Sequence, residues 1–196
     1  MSPISSEAIK QIFSEARTYY DWLPEELSDE QLREIYELMK WGPTSANLCP
    51  ARFVFVKKGL EKDKLIECLD PTNVKKVQAA PVTVIIAQDL EFYENINILF
   101  PQAAGFRDLF AGNKEFAAAT AFRNSSLQGA YFIIAARSLG FDCGPMSGFD
   151  NKKLDEQFFA GTNWKSNFIC NLGYGNKTAL YPRLPRLSFE EACKIV

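Results

Sequence analysis

The sequence predicts a protein of the α+β class, in which helices pack against a layer of strands. Stretches with helical periodicity alternate along the chain with short runs of β-branched and aromatic residues. Apolar residues make up 47% of the chain and charged residues 23%, which is typical of globular proteins. The length of 196 residues suits one domain, so we treat residues 1–196 as a single unit.

Two amphipathic helices are predicted near the N-terminus. Residues 4–16 form the first, whose apolar face comprises Ile9, Ile12, Phe13 and Ala16. Ser28 is a suitable N-cap for the second, because its side chain can accept from amides of the first turn. The apolar positions of the second helix are Leu32, Ile35, Tyr36 and Met39, and Gly42-Pro43 ends it.

The remainder of the chain alternates strands with helices. Residues 52–57 alternate aromatic and β-branched side chains and predict a strand, followed by a short helix over 62–69. Residues 81–88 form an almost unbroken apolar run, which predicts a strand buried on both faces. The stretch 115–139 is apolar all round and predicts a central buried helix, and 167–173 predicts a further strand.

Composition excludes several classes of function. The net charge of −2 provides no basic surface for nucleic acid, and no apolar run is long enough to span a bilayer. The chain has no histidine, which removes histidine-based catalytic triads and metal sites that need imidazole, and we expect no metal. Five cysteines without a CxxC pair and no recognisable signal peptide lead us to expect reduced thiols in the cytoplasm.

Three polar segments could carry chemistry. Residues 41–52 place small hydroxyl and amide side chains between a helix and a strand, where they could contact a ring edge. Residues 143–150 could present backbone amides to a planar ligand, and Arg183 and Arg186 could pair with a phosphate near a helix that begins at Ser188. Ordinary turns and a solvated tail explain the same compositions, and for the first and third segments they are the simpler interpretation.

Other candidate motifs are weaker. Asp89, Glu91 and Glu94 follow a predicted strand and could form an acid–base pair or a hard-metal site, although acids at the ends of strands are usually solvated. The phosphate-binding loop of nucleotide triphosphatases and the glycine-rich dinucleotide fingerprint are both absent from the sequence.

Taken in order, these segments resemble the nitroreductase family of FMN-dependent oxidoreductases. The resemblance runs over almost the whole chain and implies a central mixed, mostly antiparallel sheet flanked by helices, in a domain completed by homodimerisation. The residues that match the cofactor-binding motifs of the family are Arg17, Thr18, Pro43, Thr44, Ser45, Asn47, Asn73, Lys76, Pro145, Met146, Ser147, Gly148, Arg183 and Arg186.

The family resemblance implies FMN as the cofactor and NADH or NADPH as the hydride donor. Hydride transfer through a flavin needs no histidine, since the protein supplies orientation and electrostatics. We expect the backbone of Ser147 near flavin N5, and Lys76 near the N1/O2 edge. Many members have Glu where this chain has Ser147, which leaves only the backbone contact. Tyr19-Tyr20 stand where a further basic residue is common, so phosphate binding would depend on Arg183 and Arg186.

The family resemblance also implies a homodimer in which two chains share each flavin site and the apolar 115–139 helix lies in the interface. The strings WGPTSAN, AFRNSS, GPMSGFD and RLPRLSFEEA resemble the malonic semialdehyde reductases of uracil degradation. This subgroup implies reduction of malonic semialdehyde to 3-hydroxypropionate by ping-pong hydride transfer. A broad nitroaromatic or quinone reductase and a flavin-binding module without turnover are the alternatives. Arg123 is a candidate clamp for a substrate carboxylate, although a surface or interface ion pair would explain it equally well.

Overall fold

A computed structural model describes residues 2–196, which contain a four-stranded sheet in the order β1-β2-β4-β3. All three pairings between these strands are antiparallel, and an isolated parallel bridge joins Thr18 to Cys143 at the outer edge of β3, so the mostly antiparallel character expected of the sheet is confirmed. The central strands β2 and β4 are the longest, and β1 and β3 form the two edges. The strands are β1 (Ala51–Lys57), β2 (Val82–Asp89), β3 (Asp142–Met146) and β4 (Trp164–Gly173).

Helices cover both faces of this sheet. Their bounds are α1 (Ser6–Ile9), α2 (Asp29–Met39), α3 (Leu60–Ile66), α4 (Pro71–Ala79), α5 (Ile96–Leu99), α6 (Phe106–Ala111), α7 (Lys114–Ser138), α8 (Asn151–Phe158) and α9 (Phe189–Ala192). The predicted N-cap of α2 is confirmed, because Ser28 and Gln31 exchange the two hydrogen bonds of a capping box. Ser188 caps α9 in the same way with Glu191.

Alternation along β2 divides the core into two layers. Val84 and Ile86 face α2 and α7, together with Phe132 from α7. Ile85 faces the opposite side, where Leu65 of α3 and other apolar side chains of α4 and α8 pack. The prediction that this strand is buried on both faces is therefore confirmed.

The first predicted helix is only partly correct. Residues 6–9 are α-helical, but residues 10–14 widen into a π-helical turn. The wider turn changes which side chains share a face, so Ile12 is buried whereas Ile9 and Phe13 are exposed. In α2, Tyr36 is exposed although the other three predicted apolar positions are buried.

Several elements lie where the sequence pattern predicted none. The segment around residues 62–69 forms α3 and is followed by a separate helix, α4, which begins at Pro71. Four further elements, namely α5, α6, α8 and β3, were also missed. They are short or polar, so their periodicity is weak, and β3 contains Gly and Pro, which suggested a connecting loop.

The long helix α7 is less buried than its composition predicted. One side packs on the sheet, but apolar side chains also face outward, including Phe116, Phe122 and Leu127. Phe122 is 55% exposed in the single chain. The uniform apolar composition is therefore explained by two different faces, of which only one is covered within this chain.

The three acids after β2 each have a structural partner, which favours a structural role over the weaker alternatives of an acid–base pair or a metal site. Asp89 pairs with Arg52 at 2.6 Å, and Glu94 pairs with Arg107 at 2.7 Å. Glu91 accepts a hydrogen bond from the Asn163 side chain. Residues 2–196 contain no group of three Cys, Asp or Glu side chains placed to share a metal ion.

No helix within residues 2–196 combines the length and the apolar character needed to cross a membrane. The five cysteines are free thiols, and burial raises the pKa of Cys68 and Cys170 above the usual value for a thiol.

The buried ammonium group of Lys62 leads to a prediction about stability. Its side chain is 3% exposed and donates to the carbonyl of Ala80, and burial lowers its pKa from 10.5 to about 8. Between these two pH values the unfolded chain binds more protons, so the free energy of unfolding rises with pH. Urea titrations at pH 8 and pH 10.5 measure this increase in the free energy of unfolding. We expect the increase to be larger in the wild type than in Lys62→Met by roughly 1–2 kcal/mol, after allowance for solvent screening.

The control is Lys64→Met, which removes an exposed lysine paired with Glu61 on the same helix. This variant should keep the wild-type pH dependence. Parallel pH curves for the wild type and Lys62→Met would contradict the prediction.

Candidate functional site

The outer edge of β3 is occupied by the segment that carries Arg17. Thr18 forms a bridge with Cys143, and the amide of Tyr19 donates to the Cys143 carbonyl at 3.0 Å. Gly144 makes this approach possible, because a Cβ there would lie 2.3 Å from the Tyr19 carbonyl oxygen. The glycine therefore allows the N-terminal segment to lie directly against the edge strand.

Three predicted arginines meet at a cavity beside this edge, which we call the arginine pocket. Arg17 and Thr18 line one side, and Arg183 and Arg186 of the C-terminal tail line the other. The volume of the cavity is approximately 600 Å³. The remaining lining residues are Ala16, Tyr20, Tyr181, Pro182 and Leu184.

Carbonyl groups, not carboxylates, hold the guanidinium groups of this pocket. Arg17 donates to the Tyr181 carbonyl, and Arg183 donates to the Ala16 carbonyl at 2.9 Å. Arg186 donates to carbonyls of its own tail. None of the ion pairs in the described chain, residues 2–196, includes these three arginines. Their positive charge therefore remains available for an anion such as a phosphate.

Two tyrosines complete the pocket, and sequence reasoning assigned neither of them a role there. The rings of Tyr20 and Tyr181 stack with centroids 5.1 Å apart, which joins the tail to the N-terminal segment. Tyr19 points the other way and is buried against Trp22 and Gly175, so burial raises its pKa. Tyr19 and Tyr20 stand where a basic residue is common in the family that the sequence resembles. They contribute ring contacts there and no positive charge.

A second predicted group lies just beyond the end of β3. The Asn73 side chain donates to the Gly148 carbonyl at 2.9 Å, and the Lys76 ammonium donates to Asn73 Oδ1 at 2.9 Å. Asn73 is buried and Lys76 is half-buried at the surface of α4. We call these three residues the amide cluster. Asn73 and Lys76 lie one turn apart on one face of α4, a helix that the sequence pattern did not predict.

The segment 145–148 provides the backbone next to this cluster. Pro145 and Met146 pair with β4, and the ladder ends at Met146, so the amide of Ser147 lies beyond it. Ser147 itself is exposed. A Cβ on Gly148 would lie 2.5 Å from Asn73 Nδ2 and 2.8 Å from Asp70 Oδ2. Glycine is therefore needed for the contact with Asn73.

The arginine pocket and the amide cluster lie along the same strand. Cys143 touches Thr18 at one end, and Gly148 follows the other end. Five extended residues span at most about 17 Å, so the two groups can contact one ligand with an anionic end and a hydrogen-bonding end. An elongated anion with a polar ring fits this arrangement.

The third predicted group, the loop 43–47, is anchored to α7. The amide of Ser45 donates to Asn124 Oδ1 at 2.8 Å, and Asn124 Nδ2 donates back to Ser45 Oγ at 3.3 Å. The loop adopts positive φ at Ala46 and Asn47, a conformation that costs about 1–2 kcal/mol per residue and is offset here by these bonds. The buried Asn124 was missed, although an amide inside an apolar helix could have indicated such an anchor.

Other side chains of this loop already have intramolecular partners. Thr44 Oγ1 accepts from the amide of Cys49 at 3.2 Å, and Asn47 Nδ2 donates to the Leu99 carbonyl at 2.8 Å. Tyr131 donates to the Pro43 carbonyl at 3.0 Å. Pro43, Ser45 and Asn47 are nevertheless exposed, so the loop presents their outer surfaces to its surroundings.

Within one chain, this loop is far from the arginine pocket. Asn124 holds the loop, whereas Arg137, 13 residues further along α7, donates to the carbonyl of Arg17 at 3.5 Å. At 1.5 Å per residue, the two contacts are about 20 Å apart along the helix. The loop also leads into β1, at the edge of the sheet opposite β3. The structure therefore brings together two of the three predicted groups, and not the third.

Arg123 lies on the outward face of α7, next to Asn124. With Phe122, Ser126, Leu127 and small side chains it lines an open hollow of about 530 Å³. Among the ion pairs of residues 2–196 none involves Arg123, so a surface ion pair within one chain does not explain this residue, whereas an interface ion pair and the carboxylate clamp both stay predictions.

The chain is similar to known proteins over most of its length. The model of the nitroreductase family matches residues 13–174. A protein of Polynucleobacter asymbioticus, named "putative NADH dehydrogenase/NAD(P)H nitroreductase", is 51% identical to this chain over 195 residues. The match covers 100% of this chain and 99% of that protein. A Stutzerimonas stutzeri protein with the same name is 53% identical, covering 98% of this chain and 97% of its own.

A solved structure supports the fold. The protein of Exiguobacterium sibiricum, solved in complex with FMN, has a TM-score of 0.85 at 18% identity, with 100% of both chains covered. At this identity the similarity shows the fold alone. It confirms the predicted architecture of an antiparallel sheet flanked by helices.

The close contact at Gly148 predicts a loss of stability on adding one methyl group. In Gly148→Ala the new Cβ would overlap the Asn73 amide and the Asp70 carboxylate. We expect the free energy of unfolding to fall by about 1–3 kcal/mol in chemical denaturation, because Asn73 must give up its bond to the Gly148 carbonyl.

Gly105→Ala is the matched control. A Cβ at Gly105 would meet no atom within 4 Å, and its φ of −63° suits alanine. This variant should stay within about 0.5 kcal/mol of the wild type. Equal stability of the two variants would show that the contact at Gly148 relaxes without cost.

Proposed function

This chain belongs to the nitroreductase family, and on that premise we propose that it is an FMN-dependent NAD(P)H oxidoreductase. We propose further that it reduces a small acceptor by ping-pong hydride transfer, with malonic semialdehyde as the acceptor and 3-hydroxypropionate as the product. FMN, when bound, supplies the hydride chemistry between the nicotinamide and the acceptor. The residues of the chain bind and orient the reactants.

The observation that carries this proposal is the placement of three arginines without acidic partners, within residues 2–196, on the same strand edge as the amide cluster. A phosphate fits the arginine pocket, since guanidinium groups bind phosphate oxygens in pairs. The amide cluster offers both donors and acceptors, as the pyrimidine edge of a flavin requires. The residues present therefore fit FMN.

Each part of the site has a separate task in this proposal. Arg17, Arg183 and Arg186 hold the phosphate, and the Lys76 ammonium places positive charge at the edge that becomes electron-rich on reduction. The backbone amide of Ser147, beyond the β3 ladder, is the donor proposed to face N5. Because the amide is part of the backbone, serine can replace the glutamate of other members without loss of this contact.

A second copy of the chain is proposed to supply the missing third of the site. The loop 43–47 lies about 20 Å from the arginine pocket of its own chain, yet its exposed side chains match a cofactor-binding motif. The outward apolar side chains of α7, such as Phe122 and Leu127, are a suitable surface for this copy. In such a homodimer the loop of one chain reaches the FMN of the other.

Arg123 is proposed to select acceptors that carry a carboxylate. It is adjacent to Asn124, which anchors the loop at Ser45, so Arg123 accompanies that loop to the shared site. An aldehyde acid such as malonic semialdehyde has the carboxylate that a free guanidinium would bind. Nitroaromatic compounds and quinones are the second candidate class, since the names of the relatives include nitroreductase.

The proposed cofactor site is tested by visible absorption of the purified protein with FMN, before and after anaerobic addition of NADPH or NADH. We expect a yellow protein that bleaches with one of the two donors. In the double variant R183A/R186A, loss of two phosphate contacts should raise the dissociation constant of FMN at least 100-fold, at about 1.5 kcal/mol or more per charged hydrogen bond.

Arg33→Ala, which removes an exposed arginine of α2 outside the proposed site, is the control and should bind FMN like the wild type. A protein that stays colourless with FMN would overturn the whole proposal. A yellow protein that neither donor bleaches would instead support a flavin-binding module without turnover.

The role of Arg123 is tested by steady-state kinetics of Arg123→Ala. We expect kcat/KM for malonic semialdehyde to fall about 10- to 100-fold through loss of a charged hydrogen bond, with little change for neutral nitroaromatic acceptors. A matched pair of acceptors, the aldehyde acid and its uncharged methyl ester, isolates the carboxylate. Equal effects on the two acceptors would exclude the clamp.

A further inference from the structure

We propose that Thr83 and Asn171, buried in the centre of the sheet, are positioning residues that set the affinity and the reduction potential of the bound flavin through Lys76. This inference rests on the proposed function, because it assumes that the amide cluster contacts FMN. Thr83 lies on β2 and Asn171 on β4, directly opposite each other in the strand register. Both side chains have 0% exposure.

A chain of hydrogen bonds connects this pair to the proposed flavin edge. Thr83 Oγ1 donates to Asn171 Oδ1 at 2.7 Å, and Asn171 Nδ2 donates to the backbone carbonyl of Lys76 at 2.9 Å. The Lys76 ammonium then donates to Asn73 Oδ1, and Asn73 Nδ2 donates to the Gly148 carbonyl, each at 2.9 Å. The series runs from the middle of the sheet to the segment that follows β3.

Asn171 acts at the point where α4 ends. In a helix ending at Ala79, the last four carbonyls, including that of Lys76, lack intrahelical partners. Ala80 has already left the helix, with a ψ of 138°, so its amide does not continue the pattern. The Asn171 side chain supplies the missing donor and thereby fixes the backbone of the residue that bears the Lys76 ammonium.

The surroundings show that this pair is not required for simple packing. The same layer of the core is apolar and contains Val77 of α4, Ile85 of β2 and Ile169 of β4. Two apolar residues of similar shape would fill this space without the cost of burying polar groups. The polar pair instead makes the packing of α4 more specific, because hydrogen bonds are directional. They restrict the position of α4 along its axis and its rotation about that axis more narrowly than apolar contacts do.

Thr83→Val is the most conservative test, because it replaces a hydroxyl by a methyl group and removes the first bond of the series. Asn171 Oδ1 then lacks its partner and the amide can rotate away from the Lys76 carbonyl. We expect the dissociation constant of FMN to rise roughly three- to tenfold. We also expect a more negative two-electron reduction potential, since a displaced Lys76 stabilises the reduced flavin less.

A double-mutant cycle separates positioning from general destabilisation. Lys76→Met should itself weaken FMN binding and lower the potential. If Thr83 acts through Lys76, Thr83→Val in the Lys76→Met background should cause little further change in the potential. Additive effects of the two substitutions on the potential would overturn the inference.

Further variants serve as controls. Thr83→Ser keeps the hydroxyl and should restore the wild-type potential, whereas Ile85→Val, on the same face of β2, should lower stability without changing the potential. Asn171→Leu removes the donor to Lys76 and provides a second variant should Thr83→Val unfold. In the protein without FMN, both Thr83→Val and Asn171→Leu should accelerate hydrogen exchange of the α4 amides relative to Ile85→Val.

The wild type distinguishes the two proposals. If it binds no FMN, the proposed function fails, while the exchange of α4 still reports on the bond between Asn171 and Lys76. If the wild type binds FMN and the potentials of Thr83→Val and Asn171→Leu match that of Ile85→Val, the positioning role is wrong and the proposed function stands.

Discussion

Hydrogen bonds with β4 hold β3 at the edge of the sheet, and the segment of Thr18 and Tyr19 binds to the free side of β3. The arginine pocket and the amide cluster, the two parts of the proposed FMN site within one chain, both depend on this strand. The arginine pocket forms only because Arg17 is brought next to the C-terminal tail. The amide cluster forms only because Gly148, which follows β3, lies next to Asn73 of α4. Two glycines, Gly144 and Gly148, permit these approaches, since a Cβ at either position would overlap a neighbour.

The C-terminal end of α4 is held by side chains instead of by its own backbone. Asn171 donates to the Lys76 carbonyl, and Lys62 donates to the Ala80 carbonyl just after the helix. Both donors are buried, so each bond offsets a desolvation cost and each would be expensive to lose. A short helix that carries Asn73 and Lys76 is thus fixed more firmly than its nine residues alone would allow.

The helix α7 connects the two halves of the proposed site. Its C-terminal part holds the N-terminal segment through Arg137, and its middle holds the loop 43–47 through Asn124. In the proposed homodimer, the same helix would therefore set the position of one flavin and reach towards the other. Its two apolar faces, one on the sheet and one exposed, fit this double role.

The sequence alone determined the parts of the fold that depend on local pattern. The alternation in β1, the apolar run of β2, the caps at Ser28 and Ser188 and the length of α7 follow from local sequence. The identity of most proposed cofactor contacts also followed from sequence, through motifs that match the family.

Tertiary structure decided which of those residues meet. Arg17 and Arg183 are far apart in the chain, and only the docking on β3 brings them to one cavity. The partners of Asn124 and Asn171 were likewise decided by tertiary structure, because each buried amide bonds to residues that are distant in the chain. Local patterns specify helices and strands, whereas a site depends on contacts between them, and those contacts exist only once the sheet order is set.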